Sequence, residues 1–190
     1  MLNKILVAID NSTRGRSVFN TAISLAKTMD ASLMLLHVLS EEDPDYPVLP
    51  TYAYYSVLKG IDSNMLQEKF AEYEENEIKF LQNLTQKAID QGIRAECIQL
   101  SGIPGWEICE LANTWSADLI VVGSRGLRGL KEMFLGSVSN YVTHHSPCSV
   151  FIVRTEDDLK NSSTDLYSEA EADPKAEFEV LQKQKSTVKY

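Results

Sequence analysis

The run Ile5-Leu6-Val7-Ala8-Ile9 stands close to the beginning of the chain, and it decides the class of fold. Five consecutive apolar residues without alternation are typical of a strand that is covered on both faces, as in a parallel sheet packed between helices. Runs of the same kind follow at 33–38, 118–122 and 149–153. The sequence therefore predicts an α/β protein built on a parallel sheet.

Amphipathic segments separate these runs and predict helices over 17–29, 65–91, 104–115 and 136–145. Gly92 is expected to end the second helix, and the more polar run 95–100 predicts a strand at a sheet edge. Five predicted strands thus alternate with four predicted helices. This order predicts a doubly wound, Rossmann-like sheet of five strands with helices on both faces.

Two groups of polar residues are interpreted as structural. Four glutamates of the second helix look like a metal site, but no histidine accompanies them, so a solvated helix face is expected. His37 ends an apolar run and is expected to be a core histidine with its hydrogen bonds satisfied. The four glutamates are Glu72, Glu74, Glu75 and Glu77.

Two segments depart from the alternating pattern. Residues 41–63 contain three prolines and four tyrosines, which indicates an insertion loop within a domain spanning 1–154. Its tyrosines either stack on a ligand or anchor the loop to the body, and anchoring is favoured. Residues 155–190 carry nine acidic residues and five lysines, which predicts an acidic, disordered tail.

The composition excludes several classes of protein. A net charge of −9, from 18 basic and 27 acidic residues, opposes nonspecific binding to nucleic acid. No apolar run approaches the ~18 residues of a membrane span, and no signal-peptide pattern is found. The three cysteines are far apart and form no Cys-x-x-Cys pair, which is typical of reduced thiols in the cytoplasm.

Candidate ligand-binding residues follow two of the predicted strands. Ligands of doubly wound sheets bind beyond the carboxyl ends of the strands, where the segments 8–12 and 122–129 are expected. The glycines of the second segment allow a phosphate to approach the backbone, and a helix opening at 136 offers free N–H groups. Turn and capping roles would explain the same glycines and Ser137. Ser137 and Ser139 are candidate hydroxyl donors, and Arg125 is a candidate charge.

Two common nucleotide motifs are absent. A P-loop needs Gly-Lys followed by Ser or Thr, and the chain contains no such sequence. A dinucleotide fingerprint needs Gly-x-Gly-x-x-Gly after the first strand, where the chain reads Asp10-Asn11-Ser12-Thr13-Arg14-Gly15. Both motifs are therefore excluded.

Three segments in order resemble the universal stress protein family over about Asn3 to Arg154. They are 7–12 (Val-Ala-Ile-Asp-Asn-Ser), 36–38 (Leu-His-Val) and 117–126 (Ala-Asp-Leu-Ile-Val-Val-Gly-Ser-Arg-Gly). The ATP-binding branch of that family carries Gly-x2-Gly-x9-Gly-[Ser/Thr]. Here Gly123, Gly126 and Gly136-Ser137 fit this spacing without a gap. The resemblance implies strand order 3-2-1-4-5 and ATP as the ligand, with Mg²⁺ able to bridge its phosphates.

The resemblance also implies a role for individual residues and a mode of assembly. Asp10 would contact the ribose or adenine, and the final strand, Ser149 to Val153, would pair with its copy in a homodimer. An apolar edge strand of this kind needs such a cover. Ala8 and Val38 would line the adenine pocket, Val122 and Gly123 would lie under the ribose, and Gly126, Gly136, Ser137, Val138 and Ser139 would hold the phosphates.

The function expected from these observations is nucleotide-dependent signalling in the stress response. No catalytic residue is assigned, and any ATP hydrolysis should be slow, because no base, Walker lysine or placed arginine finger is identified. Two alternatives stay open. One is an interaction module that binds no nucleotide, and the other is an α/β enzyme of unknown substrate, for which no nucleophile and base are found.

Overall fold

The computed structural model describes residues 2–41, 43, 46–47, 63–124 and 135–155, with the side chains of 63–66 excepted. Strands and helices alternate along these residues as the apolar runs predict. The elements are β1 (Lys4–Ala8), α1 (Thr13–Met29), β2 (Ser32–Leu39), α2 (Ser63–Ile89), β3 (Ala95–Ser101), α3 (Pro104–Trp115), β4 (Leu119–Gly123), α4 (Ser137–His145) and β5 (Ser149–Val153).

The five strands form one parallel sheet in the order β3-β2-β1-β4-β5. At the centre, Val7 of β1 lies beside Leu35 of β2 and Val121 of β4. The strand order and the edge position of the polar strand β3 are both confirmed. The order reverses between β1 and β4, which makes their carboxyl ends the expected ligand crevice.

Each face of the sheet has its own hydrophobic core. Successive side chains of a strand point to opposite faces, so Ile5 and Val7 pack with α1 and α2, whereas Leu6 packs with α3 and α4. This two-sided burial explains why β1 is apolar at every position. The sheet is therefore the middle of three layers.

The helix ends follow from local hydrogen bonds. Helix α1 begins at Thr13, four residues before the predicted start, because the Ser12 hydroxyl caps it and accepts from the Gly15 N–H at 3.0 Å. At the end of α2, Gly92 has φ of +82° and donates to Ile89, while Ile93 donates to Ala88. These two bonds make Gly92 the C′ residue of a Schellman motif, as predicted.

One of the four glutamates in α2 does not behave as predicted. Glu72, Glu74 and Glu75 are exposed, in agreement with a solvated helix face. Glu77 is only 4% exposed, so that prediction is wrong for this residue. The reason is position: Glu77 lies four residues from Tyr73 and from Leu81, both of which are buried, and so shares the helix face that packs on the sheet.

The insertion and the tail fall largely outside the described residues. Within the insertion, the Tyr46 ring packs edge-on against Phe70 and Tyr73 of α2, with centroids 5.3 and 5.8 Å away. Tyr46 thus anchors its segment to the body, whereas the other three tyrosines are not described. The chain divides into units Met1–Arg154 and Thr155–Tyr190, and Thr155 alone is described in the second. In the described part, no helix is long and apolar enough to cross a membrane.

Candidate functional site

Three apolar residues assigned to the adenine or ribose, and one assigned to the phosphates, lie on the same face of the sheet. Val122 belongs to the hydrophobic core that lies under α3 and α4. Ala8, Val38 and Val138 are half-buried and pack against this core. The four residues come from β1, β2, β4 and α4, and the strand residues stand near the carboxyl ends. The fold thus brings these four residues into one apolar patch at the crevice.

Asp10 is half-buried in the turn that follows β1. Its Oδ1 accepts a hydrogen bond from the Ser12 hydroxyl at 2.5 Å, and the same Ser12 oxygen accepts from the Gly15 N–H. Asp10 is thereby linked to the first turn of α1. This bond fixes the carboxylate of Asp10 at the crevice.

Gly15 belongs to this turn although its spacing gave no sign of it. A Cβ at this position would overlap the Asp10 carbonyl oxygen and would lie 2.8 Å from Asp10 Oδ1. Only glycine lets the helix backbone approach Asp10 so closely. In the sequence, Gly15 appeared only in the segment that was tested for a dinucleotide fingerprint and did not match it. Its role could not be predicted, because the close approach of Gly15 to Asp10 depends on three-dimensional packing.

Helix α4 opens at Gly136, which has no side chain with which to cap the helix. Its φ of −72° and ψ of 168° are those of an extended N-cap residue. The first intrahelical bond runs from the Asn140 N–H to the Gly136 carbonyl at 2.9 Å. Among the described residues, none accepts from the N–H groups of Ser137, Val138 or Ser139. Three amides and the positive end of the helix dipole therefore point the same way.

The carbonyl of Ser124 fixes this helix end beside β4. It accepts from the Gly136 N–H at 2.7 Å and from the Ser139 hydroxyl at 2.8 Å. Ser124 is 1% exposed and Ser139 is 2% exposed, so both bonds are shielded from water. The Ser139 hydroxyl, which was a candidate phosphate donor, is used within the protein. What Ser139 can offer a ligand is its backbone N–H.

The remaining predicted residues divide into described and undescribed ones. Gly123 is half-buried at the end of β4, and Ser137 is exposed at the start of α4. Arg125 and Gly126 lie outside the described residues. The described residues therefore include both ends of the glycine motif, Gly123 and Gly136-Ser137.

The sequence model of the universal stress protein family matches residues 1–154. The chain belongs to the universal stress protein family. Among curated relatives, the universal stress protein Sll1388 of Synechocystis is 38% identical over 151 residues, which is 80% of this chain and 97% of that protein. The universal stress protein YxiE of Bacillus subtilis is 40% identical over 154 residues, or 81% of this chain and 100% of that protein.

Solved structures share the fold. The structure of the hypothetical protein MJ0577 aligns with a TM-score of 0.63 at 28% identity, over 82% of this chain and 98% of that one. A universal stress protein in complex with cAMP aligns with a TM-score of 0.53 at 22% identity, over 80% of this chain and 97% of that one. The universal stress protein from Archaeoglobus fulgidus in complex with dAMP aligns with a TM-score of 0.52 at 20% identity, over 80% of this chain and 98% of that one.

The cysteines of this universal stress protein are free thiols. Burial raises the pKa of Cys109, and the neighbouring Cys148 and Glu110 raise it further. Burial likewise raises the pKa of Cys148, although a hydrogen bond from Ser146 acts in the opposite direction. A raised pKa keeps both thiols protonated near neutral pH. These two residues are suited to packing under the sheet rather than to nucleophilic chemistry.

Proposed function

We propose that this universal stress protein binds ATP in the crevice between the carboxyl ends of β1 and β4. The observation that carries the proposal is the start of α4, where three N–H groups without a described acceptor are held against the end of β4 by Ser124. In this arrangement the phosphates lie at Ser137, Val138 and Ser139. The adenine packs on Ala8 and Val38, the ribose lies over Val122 and Gly123 beside Asp10, and Gly126 and Arg125 belong to the same phosphate loop.

The two helices that follow β1 and β4 support this assignment by their difference. At α1 the Ser12 hydroxyl accepts from the Gly15 N–H, which satisfies one of the free amides of that helix. At α4 the N-cap is glycine, so the amides are left for another acceptor. An anionic phosphate is the acceptor that both the amides and the helix dipole favour.

Adenine nucleotides fit the apolar part of the crevice as well. Structures of the same fold have been solved in complex with cAMP and with dAMP, and both ligands carry adenine. Mg²⁺ would be held by ATP and water, because the described residues contain no group of three or more metal-ligating side chains. The nucleotide then acts as a signal in the cytoplasm, with occupancy altering the choice of partner and hydrolysis slow.

A single residue separates the amide contribution from the hydroxyl contribution. In Ser137→Pro the N–H is lost, but proline suits the first position of a helix. Proline also requires an extended residue before it, and Gly136 already has that conformation. Ser137→Ala, the matched control, removes the hydroxyl and keeps the N–H.

Titration calorimetry with ATP tests the proposal on these variants. Wild type should bind, Ser137→Ala should retain its affinity within about threefold, and Ser137→Pro should lose about tenfold or more, since a hydrogen bond to a charged group contributes ~1.5–3 kcal/mol. Thermal melting should show that both variants fold. If Ser137→Pro and wild type bind ATP with equal affinity, the phosphates do not bind at the start of α4. An absence of heat with wild type up to millimolar ATP would end the proposed function and favour an interaction module.

A further inference from the structure

A histidine and a glutamate face each other inside the protein on the side of the sheet opposite the apolar patch. His37 of β2 is 2% exposed and Glu77 of α2 is 4% exposed. His37 Nε2 lies 3.4 Å from Glu77 Oε2. Buried charged groups are costly, and they are found in proteins chiefly when they are paired. His37 is a core histidine, as predicted, but the prediction that its hydrogen bonds are satisfied holds for Nδ1 alone. Nε2 makes no hydrogen bond to a described residue and instead faces a carboxylate that was expected in solvent.

One hydrogen bond of the His37 ring fixes a proton on Nδ1. His37 Nδ1 lies 2.8 Å from the carbonyl oxygen of Ile9, which can only accept, so Nδ1 carries a proton and donates it. The other ring nitrogen, Nε2, points at Glu77 Oε2 across the 3.4 Å contact, so the pair places α2 beside β2 and the Ile9 carbonyl.

The same pair holds the turn that carries Asp10 on both sides. Ile9, immediately before Asp10, is held through its carbonyl by His37. Asn11, immediately after it, donates from Nδ2 to Glu77 Oε1 at 3.3 Å. The residues on both sides of Asp10, Ile9 and Asn11, are therefore hydrogen-bonded to the buried pair. The side chain of Asp10 itself accepts a hydrogen bond from Ser12.

We propose that His37 and Glu77 are positioning residues that set the place of Asp10 in the nucleotide site. The inference rests on the proposed function, since it assigns to Asp10 a contact with the ribose or adenine. Neither residue touches the ligand. They act through Ile9 and Asn11, and they couple the position of α2 to the nucleotide contact. A purely structural pair would instead stabilise α2 on the sheet without affecting that contact.

A double-mutant cycle on ATP affinity separates the two roles. His37→Phe and Glu77→Leu remove the bonds to the turn and should each weaken ATP binding about tenfold. Glu77→Gln can still donate to His37 and accept from Asn11, so it should stay within about threefold of wild type. In an Asp10→Ala background, where the contact is already lost, His37→Phe should change the affinity by less than about twofold. Thr85→Val alters a buried residue of α2 whose hydroxyl donates to the Leu81 carbonyl, within the same helix, and it should leave the affinity unchanged.

A surface variant and a ligand-free measurement cover the case in which a core variant fails to fold. Asn11→Ala removes the turn's bond to Glu77 from an exposed position and should weaken ATP binding about threefold or more. Hydrogen exchange without nucleotide should show faster exchange of the amides at 9–12 in Asn11→Ala and in His37→Phe than in Thr85→Val. The same loss of affinity from His37→Phe with and without Asp10, or unchanged exchange at 9–12, would overturn the inference while leaving ATP binding intact. Absent binding by wild type would overturn both.

Discussion

Gly15 shows how one residue type can control a ligand contact that another residue makes. The helix backbone at Gly15 approaches the Asp10 carbonyl so closely that no side chain fits between them. Because Asp10 also bonds to Ser12, any shift of its backbone carries the carboxylate with it. The lack of a Cβ at position 15 is thus part of the geometry of the crevice.

Gly15→Ala should weaken ATP binding about tenfold or more, because the new methyl group displaces Asp10. The matched control is Gly92→Ala, since Gly92 has φ of +82° and no atom within 4 Å of an added Cβ. Its cost is backbone strain of about 1 kcal/mol, far from Asp10 along the chain. Calorimetry together with thermal melting checks the pair. Equal affinity of Gly15→Ala and wild type would show that Asp10 tolerates the shift.

Single residues were predicted from the sequence only where the reason is local. The C′ role of Gly92 is local, because φ above zero at a helix end favours glycine, and it could be predicted. The burial of Glu77 could not, because the partner that keeps a carboxylate inside stands 40 positions earlier, at His37. The close approach at Gly15 likewise depends on how α1 leaves the sheet.

At the scale of elements, the four apolar runs and the more polar run 95–100 predicted the five described strands, whose limits differ from the prediction by at most one residue. The start of α1 differs more, because residues 13–16 contain no large apolar side chain and give no helical periodicity. The capping Ser12 was the available signal. The site follows the same division. The sequence placed Ala8 and Val122 near the carboxyl ends of strands, as β1 and β4 have them, whereas the use of the Ser139 hydroxyl inside the fold depends on how α4 packs beside β4.

Asp118 fixes the start of β1 beside β4. Its Oδ2 accepts from the N–H groups of Asn3 and Lys4 at 2.8 and 3.0 Å, and these bonds hold its pKa below the usual value. A carboxylate with a lowered pKa in the folded state contributes stability above its unfolded pKa of about 4. That contribution is lost as the pH falls through the lower folded pKa.

Asp118→Asn should therefore be less stable than wild type at pH 7, and the difference in unfolding free energy should shrink below about pH 4. Urea denaturation of both proteins between pH 7 and pH 2.5 measures it. The asparagine keeps an acceptor oxygen, so the variant isolates the charge. A difference that grows towards acid pH would contradict the assignment.

At the scale of the whole molecule, β5 is an edge strand with an apolar residue on its outer part. Phe151 is 42% exposed and Ser149 is also exposed, whereas Val153 is 7% exposed and belongs to the core. Edge strands in natural proteins are usually covered, charged or short. We propose that a second copy of the chain covers this one through antiparallel pairing of Ser149–Val153 about a two-fold axis.

Ser149→Lys combined with Phe151→Lys should convert this dimer into monomers, because like charges meet across the paired strands. Ile103→Lys is the control, since Ile103 is an apolar residue 73% exposed in the turn before α3. Light scattering at micromolar concentration gives the mass of each. A monomeric wild type, or a dimeric double variant, would refute the pairing through β5.

The strand order also dictates when this protein can fold during its synthesis. β1 lies in the middle of the sheet, yet Asn3 and Asp118 at its junction with β4 are 115 positions apart. At translation speeds of ~5–20 residues per second, the first strand waits on the order of 10 s for its neighbour. Throughout that interval one side of an apolar strand has no partner from its own chain, which is a template for association with other nascent chains. The order that creates a ligand crevice in the finished molecule thus leaves an apolar strand edge uncovered while the chain is being made.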